Sequence, residues 1–378
     1  MALPRLVMFF GGMGGSPVED SFRQALAEDT LDTLERALES GGVEGAILAT
    51  DDAELASRCP AGVEVDRDGR AFHFGERLAE IVYRKELERV VYLGAGSATL
   101  MVRDDFFSLG RYLGMAWDVV VTNNRYSADF AAFVPGAALL RGEPPARDNL
   151  LPRALHDEGG LALQELPRSI ATQFNIDTPS DLAVLKVTGR AGPRLSAWLA
   201  ASDFDCSRYE ICLKLLIDST AQVLLSGRIG SQAWQYLESE TACRIRLFAE
   251  ERGMRAEGRE HGKARSLLAY HLKEVGCERF FAEMATLGDA AVIDSRVIFA
   301  HLSPELSRAD RFLSDLGRYQ EIEDPFLREF TEAAMKAPIP VFLGGHSLVA
   351  GGLMALTEYA WKDAPETSLK REAAGPRI

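Results

Sequence analysis

The sequence predicts an α/β protein of two domains, each built on a mostly parallel sheet, and three observations support this class. Short apolar runs alternate with amphipathic stretches throughout, which is the pattern of βα units around a parallel sheet. The length of 378 residues suits two domains at about 150 residues each. A segment rich in Gly and Pro, residues 188–193, separates two such cycles and is typical of a linker between domains.

The apolar runs predict a first domain at 1–188, a second at 195–365 and a flexible tail at 366–378. In the first domain the predicted strands are 6–10, 45–49, 90–93, 119–122 and 131–134, and the predicted helices are 22–39, 75–87 and 103–113. In the second domain the predicted strands are 222–225, 244–248, 290–293, 297–300 and 340–343, and the predicted helices are 231–240, 264–274, 325–336 and 348–361. The second half therefore predicts a smaller parallel-sheet α/β domain.

Charge and cysteine content narrow the class of partner. Acidic residues outnumber basic ones by 56 to 42, giving a net charge of −14, which argues against nonspecific binding to nucleic acid or an anionic membrane. No apolar run approaches the roughly 18 residues that a membrane helix needs, and the amino terminus lacks the cleavage site of a signal peptide. The five cysteines form no C-x-x-C pair, which predicts reduced thiols in a cytoplasmic protein. The sequence is compatible with an oligomer of identical chains.

A glycine-rich turn follows the first predicted strand, and we call residues 11–15 the glycine turn. Its glycines are Gly11, Gly12, Gly14 and Gly15, and a predicted helix follows them. Glycines let backbone N–H groups approach a phosphate closely, and the positive end of the following helix favours an anion. The turn matches neither a Walker motif nor a dinucleotide fingerprint, and a purely structural turn is the plain alternative.

Other residues beyond the predicted strands of the first domain are candidates for nucleotide binding, because parallel sheets bind ligands at the carboxyl ends of their strands. These candidates are Asp51, Gly94, Gly96, Ser97, Asn123 and Asn124. The two asparagines could equally form an ordinary turn.

The stretch Phe174-Asn-Ile-Asp-Thr-Pro-Ser-Asp-Leu182, which we call the closing motif, is the most specific motif of the first domain. Together with the glycine turn and the strand that ends in Asp51 and Asp52, it resembles the nucleotidyltransferases typified by molybdenum-cofactor guanylyl- and cytidylyltransferases and 2-phospho-L-lactate guanylyltransferase. The resemblance covers residues 1–187. It implies a Rossmann-like, glycosyltransferase-A-type fold that transfers a nucleotide from an NTP, with Mg²⁺, onto a phosphate or a phosphorylated small molecule, releasing diphosphate.

The chain departs from this family in two places. The family's opening loop carries an Arg and a Lys, whereas the glycine turn has neither and only Arg23 follows on the helix. The family's metal-binding Asp-x-Pro segment corresponds to Gly96 and Ala98, and a glycine has no side chain to ligate a cation. We therefore predict Asp129 and Asp177 as the metal ligands. Asp177 could equally cap a helix.

Two further residues of the first domain could contribute to a metal site. Asp148 and Asn149 begin the segment that runs into a predicted helix. Asp148 could equally serve only as the cap of that helix.

The second half resembles no family known to us, so its candidate site rests on the ends of its predicted strands. Arg, Glu and His side chains are dense there, and arginine binds phosphate or carboxylate bidentately. The catalytic candidates are Arg228, Glu251, Asp294 and His346, and Glu250, Arg252, Arg296 and Ser347 stand beside them. They predict a site for a phosphorylated or carboxylated small molecule. A structural network of ion pairs, with Ser347 as a helix cap, is the alternative.

Three functions follow from these features. The leading hypothesis is a nucleotidyltransferase-like protein whose first domain uses an NTP and Mg²⁺, with a phosphorylated or carboxylated small molecule as the other partner. The second is a protein that binds a nucleotide or metabolite without catalysis, because the metal-binding Asp has been lost. The third is an enzyme that acts on a phosphorylated metabolite through its second domain.

Overall fold

The structure is a computed structural model that describes residues 2–12, 14–67, 71–125, 127–254, 257–259, 262–303 and 305–362. Met13 of the glycine turn and the predicted tail lie outside the described residues. Two compact units make up the chain, the first comprising Met1–Ile176, Arg190–Ser202 and Arg255–Gly258, and the second the remaining segments Asp177–Gly189, Asp203–Met254 and Arg259–Ile378. The sequence predicts one boundary after residue 188, whereas residues 177–189 group with the second unit and 190–202 with the first.

The first unit is built on a seven-stranded sheet. Its strands are β1 (Arg5–Phe10), β2 (Gly45–Thr50), β3 (Val63–Asp66), β4 (Val90–Gly94), β5 (Val119–Thr122), β6 (Phe130–Val134) and β7 (Ala162–Glu165). They lie in the order β3-β2-β1-β4-β6-β5-β7, and β6 runs antiparallel to both of its neighbours while the other pairs are parallel. The predicted α/β class is confirmed, with this one strand reversed.

The second unit is built on a four-stranded sheet that is parallel throughout. Its strands are β8 (Gln222–Gly227), β9 (Arg244–Ala249), β10 (Ala290–Asp294) and β11 (Val341–Gly344). They lie in the order β11-β10-β8-β9. The chain passes from β8 to β9 on one side and then crosses back to β10, which pairs with the other side of β8.

The helices surround the two sheets. In chain order they are α1 (Pro17–Glu39), α2 (Ala53–Ser57), α3 (Phe74–Arg84), α4 (Arg103–Met115), α5 (Leu151–Asp157), α6 (Ile170–Gln173), α7 (Pro179–Thr188), α8 (Pro193–Ala201), α9 (Ser207–Leu216), α10 (Ser231–Glu240), α11 (Leu267–Val275), α12 (Cys277–Met284), α13 (Arg296–Leu302), α14 (Arg308–Asp315), α15 (Pro325–Met335) and α16 (Leu353–Lys362). Polar caps fix several starts, as where Asp52 accepts from Leu55 N at 2.9 Å and Asp324 accepts from Leu327 N at 2.8 Å. A π-helical segment, Leu348–Gly352, precedes α16.

The strand predicted at 297–300 is wrong, because these residues lie in helix α13. All four side chains are buried, and a buried position favours an apolar residue in a strand and in a helix alike. A short, continuously apolar run carries no periodicity that separates a buried strand from a buried helix.

Aromatic rings pack the core beneath the carboxyl end of the first sheet. Phe9 of β1 meets Tyr92 of β4 edge to face at 5.4 Å between ring centroids, and Phe74 of α3 lies 5.0 Å from Tyr92. These contacts fix the last residues of two neighbouring strands against each other. All five cysteines are free thiols. Among the described residues, no helix combines the length and apolar character needed to cross a membrane.

Candidate functional site

The order of strands in the first sheet fixes where a ligand crevice can form. From β1 the chain proceeds through α1 to β2 on one side, while β4 pairs with the other side of β1. In an open α/β sheet, ligands bind outside the carboxyl ends of the strands at such a reversal. The glycine turn after β1 and the segment after β4 both lie at this point.

The glycine turn adopts a backbone that other residues rarely take. Gly12, Gly14 and Gly15 have φ values of +73°, +140° and +119°. A Cβ atom built on Gly11, Gly12 or Gly15 would meet no other atom within 4 Å, so the turn borders open space. Gly12 and Gly15 therefore combine a positive φ with open space, and steric crowding does not explain the glycines at positions 11, 12 and 15.

The start of α1 closes the other side of the turn. Ser16 caps the helix by accepting from Glu19 N at 3.4 Å, and a Cβ on Gly14 would lie 3.2 Å from Asp20 Oδ1. Acidic side chains thus already occupy the positive end of this helix. An anion at the turn would therefore be bound mainly by backbone N–H groups of the turn.

The segment after β4 contains two glycines in different surroundings. A Cβ on Gly96, whose φ is +79°, would lie 2.7 Å from Ile176 O and 2.9 Å from Leu26 Cδ2. Ile176 N also donates to Gly96 O at 2.9 Å. Gly96 is therefore a packing residue in this fold, and no side chain fits at its position.

Gly94, by contrast, faces a carboxylate. A Cβ on Gly94 would lie 3.6 Å from Asp148 Oδ2 and 3.7 Å from the hydroxyl of Tyr92. Burial and the negative charge of Asp148 raise the pKa of Tyr92 well above its ordinary value. Ser97 completes the bend by donating from Oγ to Gly94 O at 2.6 Å. A half-buried acid from a distant segment thus lies at the end of β4.

The candidates after β5 are engaged with each other. Asn123 Nδ2 donates to Asp129 Oδ2 at 2.5 Å and to Thr172 O at 3.1 Å, and Asp129 N donates to Asn123 Oδ1 at 3.1 Å. Asn123 and Asn124 are both buried. These contacts hold the connection between β5 and β6, which is the plain alternative given above for the asparagines.

The acids after β2 have separate roles. Asp51 is exposed, whereas Asp52 caps α2 and accepts from Arg23 Nη1 at 2.7 Å. Arg23, the first cation after the glycine turn in the sequence, is therefore already paired with a carboxylate.

The closing motif is divided between the two units. Ile176 belongs to the first unit, while Asp177 is exposed in the second. Asp181 Oδ2 accepts from Asp177 N at 3.0 Å and from Thr178 N at 2.8 Å, so Asp181 caps the start of α7. Burial and the charge of Asp177 raise the pKa of Asp181 well above its ordinary value. Asp129 and Asp177, the two predicted metal ligands, therefore lie in different units.

At the second sheet, the structure brings together two of the four catalytic candidates in a buried ion pair. Arg228 donates to Asp294 from Nε at 2.6 Å and from Nη2 at 3.0 Å, and the Asp294 side chain is fully buried. Burial raises the pKa of Asp294, but the charge and hydrogen bonds of Arg228, with a contribution from His346, outweigh it and leave this pKa below its ordinary value.

Glu251 and Arg296 of the second unit form ion pairs with other residues. Glu251 is paired with Arg259, and Arg252 is exposed. Arg296 donates from Nη1 to Asp315 Oδ1 at 3.0 Å, so its charge is balanced inside the unit. Arg296 N also donates to Asp294 Oδ1 at 3.3 Å, so Arg296 lies beside the buried ion pair, and an anion site among the arginines stays a prediction.

Glu250 lies at the same edge of the second sheet. It accepts from Ser266 Oγ at 2.5 Å. Burial raises the pKa of Glu250, with the charge of Asp294 adding to the effect. Ser347 is buried and caps no helix through its side chain.

The described residues contain no group of three or more His, Cys, Asp or Glu side chains that could hold a metal ion. Mg²⁺ in proteins is held by one or two carboxylates together with substrate phosphates, so it does not need such a group. Asp148 is a half-buried carboxylate that lies beside the end of β4.

Sequence reasoning missed one polar residue of the second unit, Ser226. Its hydroxyl is buried and has no hydrogen-bond partner among the described residues. A small polar residue that ends an otherwise apolar strand is the signal that could have identified it.

Comparisons with known proteins give limited information. No protein family model matches this chain, and no curated protein matches it. A solved structure described as a nucleotide-diphospho-sugar transferase from Desulfovibrio desulfuricans G20 is 14% identical and covers 54% of this chain and 100% of its own, with a TM-score of 0.36.

Two further solved structures are similar to the same extent. A cytidylyltransferase from Leptospira borgpetersenii serovar Hardjo-bovis (strain JB197) is 16% identical over 53% of this chain and 93% of its own, with a TM-score of 0.37. A CMP:2-keto-3-deoxy-manno-octonic acid synthetase complexed with CTP is 16% identical over 48% of this chain and 95% of its own, with a TM-score of 0.33. At these TM-scores the likenesses carry no argument about activity or ligand.

Proposed function

We propose that the first unit binds a nucleoside triphosphate across the glycine turn and transfers its nucleotidyl group to a phosphate of a small molecule. The observation that carries this proposal is the position of the turn. Gly12 and Gly15 have positive φ and border open space at the point where the strand order of the sheet reverses. The resemblance of the closing motif to nucleotidyltransferases supplies the reaction class.

The proposed reaction is a single displacement at phosphorus. An oxygen of the acceptor phosphate forms a bond to the α-phosphorus of the NTP, and the bond from that phosphorus to the bridging oxygen breaks. Diphosphate leaves with the electron pair. Such transfers depend mainly on positioning and on stabilisation of charge. The glycine turn would contribute both, because its backbone N–H groups can approach phosphate oxygens without a Cβ in the way.

Asp148 is the residue that we propose to hold Mg²⁺. Its carboxylate is half-buried and lies beside Gly94 at the end of β4, next to β1. When bound, the ion would neutralise charge on the phosphate oxygens. Asp129 and Asp177 remain proposed ligands as well, and their variants provide the comparison.

A second function, nucleotide binding without transfer, is favoured by one observation. The glycine turn contains no Lys or Arg, and Arg23 pairs with Asp52 at 2.7 Å. A triphosphate would then meet little positive charge from side chains. A protein that lacks such charge can still bind a nucleotide while stabilising the transition state poorly.

Titration calorimetry with ATP, CTP, GTP and UTP, with and without MgCl₂, tests the site through a matched pair of variants. Gly12→Val and Gly41→Val impose similar backbone strain, since φ is +73° and +68° and neither Cβ would meet another atom within 4 Å. We expect Gly41→Val to bind as the wild type does and Gly12→Val to lose at least about tenfold in affinity, about 1.4 kcal/mol. Equal NTP binding by the two variants would show that the glycine turn is not the nucleotide site.

A diphosphate-release assay with phosphorylated acceptors then separates the two functions. Release that requires both the NTP and an acceptor supports transfer. Tight binding in the calorimeter, with no release from any acceptor, supports the binding function.

A further inference from the structure

The second sheet has its own point of strand reversal, between β8 and β10. Residues 223–226 of β8 pair with residues 290–293 of β10, and β9 pairs with the other side of β8. By the rule applied to the first sheet, a ligand crevice is expected outside the carboxyl ends of β8 and β10. Arg228 and Asp294 lie there.

The backbone after β8 is pressed against β10. Gly227 has a φ of +133°, and a Cβ on it would lie 2.3 Å from Cβ of Asp294. A glycine is therefore required for the turn to approach the strand this closely, and the turn brings the next residue, Arg228, onto Asp294.

Arg228 has donors left after it has paired with Asp294. A guanidinium carries five N–H donors in a planar fork, and Asp294 receives hydrogen bonds from Nε and Nη2. The described residues offer Nη1 no hydrogen-bond acceptor, and the Arg228 side chain remains 20% exposed. Phosphate and carboxylate groups are the ligands that match such a fork.

Ser226 supplies an independent observation two residues earlier. The residue is only 2% exposed, and its Oγ has no hydrogen-bond partner among the described residues. A buried hydroxyl left without a partner costs about 1–3 kcal/mol, and native proteins pair nearly all such groups. No described residue satisfies this hydroxyl, which lies near the carboxyl end of β8, two residues before Arg228.

We propose that the carboxyl edge of β8 and β10 binds the oxyanion of a small molecule, a phosphate or a carboxylate, through Arg228 and Ser226. Asp294 orients the Arg228 guanidinium and acts as a positioning residue. Arg296 takes no part, because Asp315 pairs with it inside the unit. This site is separate from the nucleotide site proposed for the first unit.

The test uses inorganic phosphate and malonate as probes against the full-length protein, with sodium chloride at equal ionic strength as the reference. Calorimetry on Ser226→Ala and Ser239→Ala gives a matched comparison, since Ser239 is in the same unit and its Oγ donates to Tyr236 O. Removal of an unpartnered hydroxyl should leave thermal stability unchanged or raised. We expect Ser226→Ala to lose about tenfold in affinity and Ser239→Ala to match the wild type.

A further variant and a further ligand complete the design. Arg228→Lys keeps the charge but loses the planar fork, so it should also weaken anion binding. Ser226→Ala should bind an NTP as the wild type does, which separates this site from the nucleotide site. A response to phosphate alone or to malonate alone identifies the source of the oxyanion. The proposal is overturned if neither anion binds, or if Ser226→Ala and Arg228→Lys bind as tightly as the wild type.

Discussion

The two sheets offer contrasting surfaces at the points where their strand order reverses. At the first sheet, the glycine turn borders open space and carries no Lys or Arg. At the second, Arg228 and a fully buried Asp294 are already joined by two side-chain hydrogen bonds. The same topological rule locates both edges, but one carries a glycine-rich turn and the other carries paired charges.

This difference predicts different responses to mutation. Changes at the first edge should alter ligand binding with modest effects on folding, because a Cβ on Gly11, Gly12 or Gly15 would meet no other atom within 4 Å. Changes at the second edge should destabilise the fold, because removing one partner leaves the other charge buried without compensation. The predictions below test this contrast, beginning with the largest effect.

Asp294→Ala should destabilise the second unit by about 3–5 kcal/mol, because it leaves Arg228 without its buried partner. Hydrogen exchange read by mass spectrometry reports the two units separately, which a single melting curve does not. Glu321→Ala is the control, since it removes an exposed partner of Arg318 and should cost less than about 1 kcal/mol. Similar protection of β10 in both variants would contradict the claim that this edge is held by buried charge.

Asp29, a buried acid of the first unit, should make the stability of the fold depend on pH in the direction opposite to that expected for Asp294. Burial raises the pKa of Asp29 to about 7, opposed by Arg36 and by a hydrogen bond from Thr99. The folded state therefore holds a proton that the unfolded state releases near pH 4, and stability falls as the pH rises from about 4 to about 7. Asp294, whose pKa is lowered, loses its contribution to stability only as the pH falls through its folded pKa, below about 4.

Asp29→Asn should remove the loss of stability on the alkaline side. Above pH 7 the variant should be more stable than the wild type by up to about 4 kcal/mol, while near pH 4 the two should be similar. The measurement is the free energy of unfolding across this range, with Asp20→Asn as a control at an exposed position of the same helix. A wild-type profile that is flat from pH 4 to 8 would contradict the account.

The two glycines after β4 should differ in their tolerance of a methyl group. Gly96→Ala should cost about 2–3 kcal/mol, because its Cβ would lie 2.7 Å from Ile176 O and its φ is +79°. Gly94→Ala should cost less than about 1 kcal/mol, because its nearest contact is at 3.6 Å. Equal costs would show that the end of β4 is not open as described.

The smallest effect concerns the proposed metal ligand. Asp148→Asn should weaken NTP binding in MgCl₂ by about tenfold, about 1.4 kcal/mol, and should leave binding without Mg²⁺ unchanged. Asp129→Asn and Asp177→Asn provide the comparison by calorimetry. A loss of Mg²⁺-dependent binding confined to Asp129→Asn or Asp177→Asn would show that Asp148 does not hold the ion.

The sequence predicted those elements whose local pattern is sufficient to define them. The buried strands β1, β2 and β4 were located because they are continuous apolar runs. β7, which is mostly exposed, and β3, which is mostly half-buried, were missed because edge strands need no such run. No local pattern could show that α7 groups with the second unit and α8 with the first, since both are short and largely apolar.

The candidate sites show the same limit. The conformation of the glycine turn follows from its residues, so it could be predicted. That Asp148 lies beside Gly94 depends on how two distant segments pack. The partners of the arginines depend on the same packing, so the sequence cannot show that Arg296 forms an ion pair with Asp315 and Arg228 with Asp294.

A crystal structure with an NTP and Mg²⁺ would test the central claim most directly. We expect the phosphates within hydrogen-bonding distance of the backbone N–H groups of the glycine turn, and the ion on Asp148. A nucleotide bound at the β8–β10 edge, with the glycine turn vacant, would contradict the account.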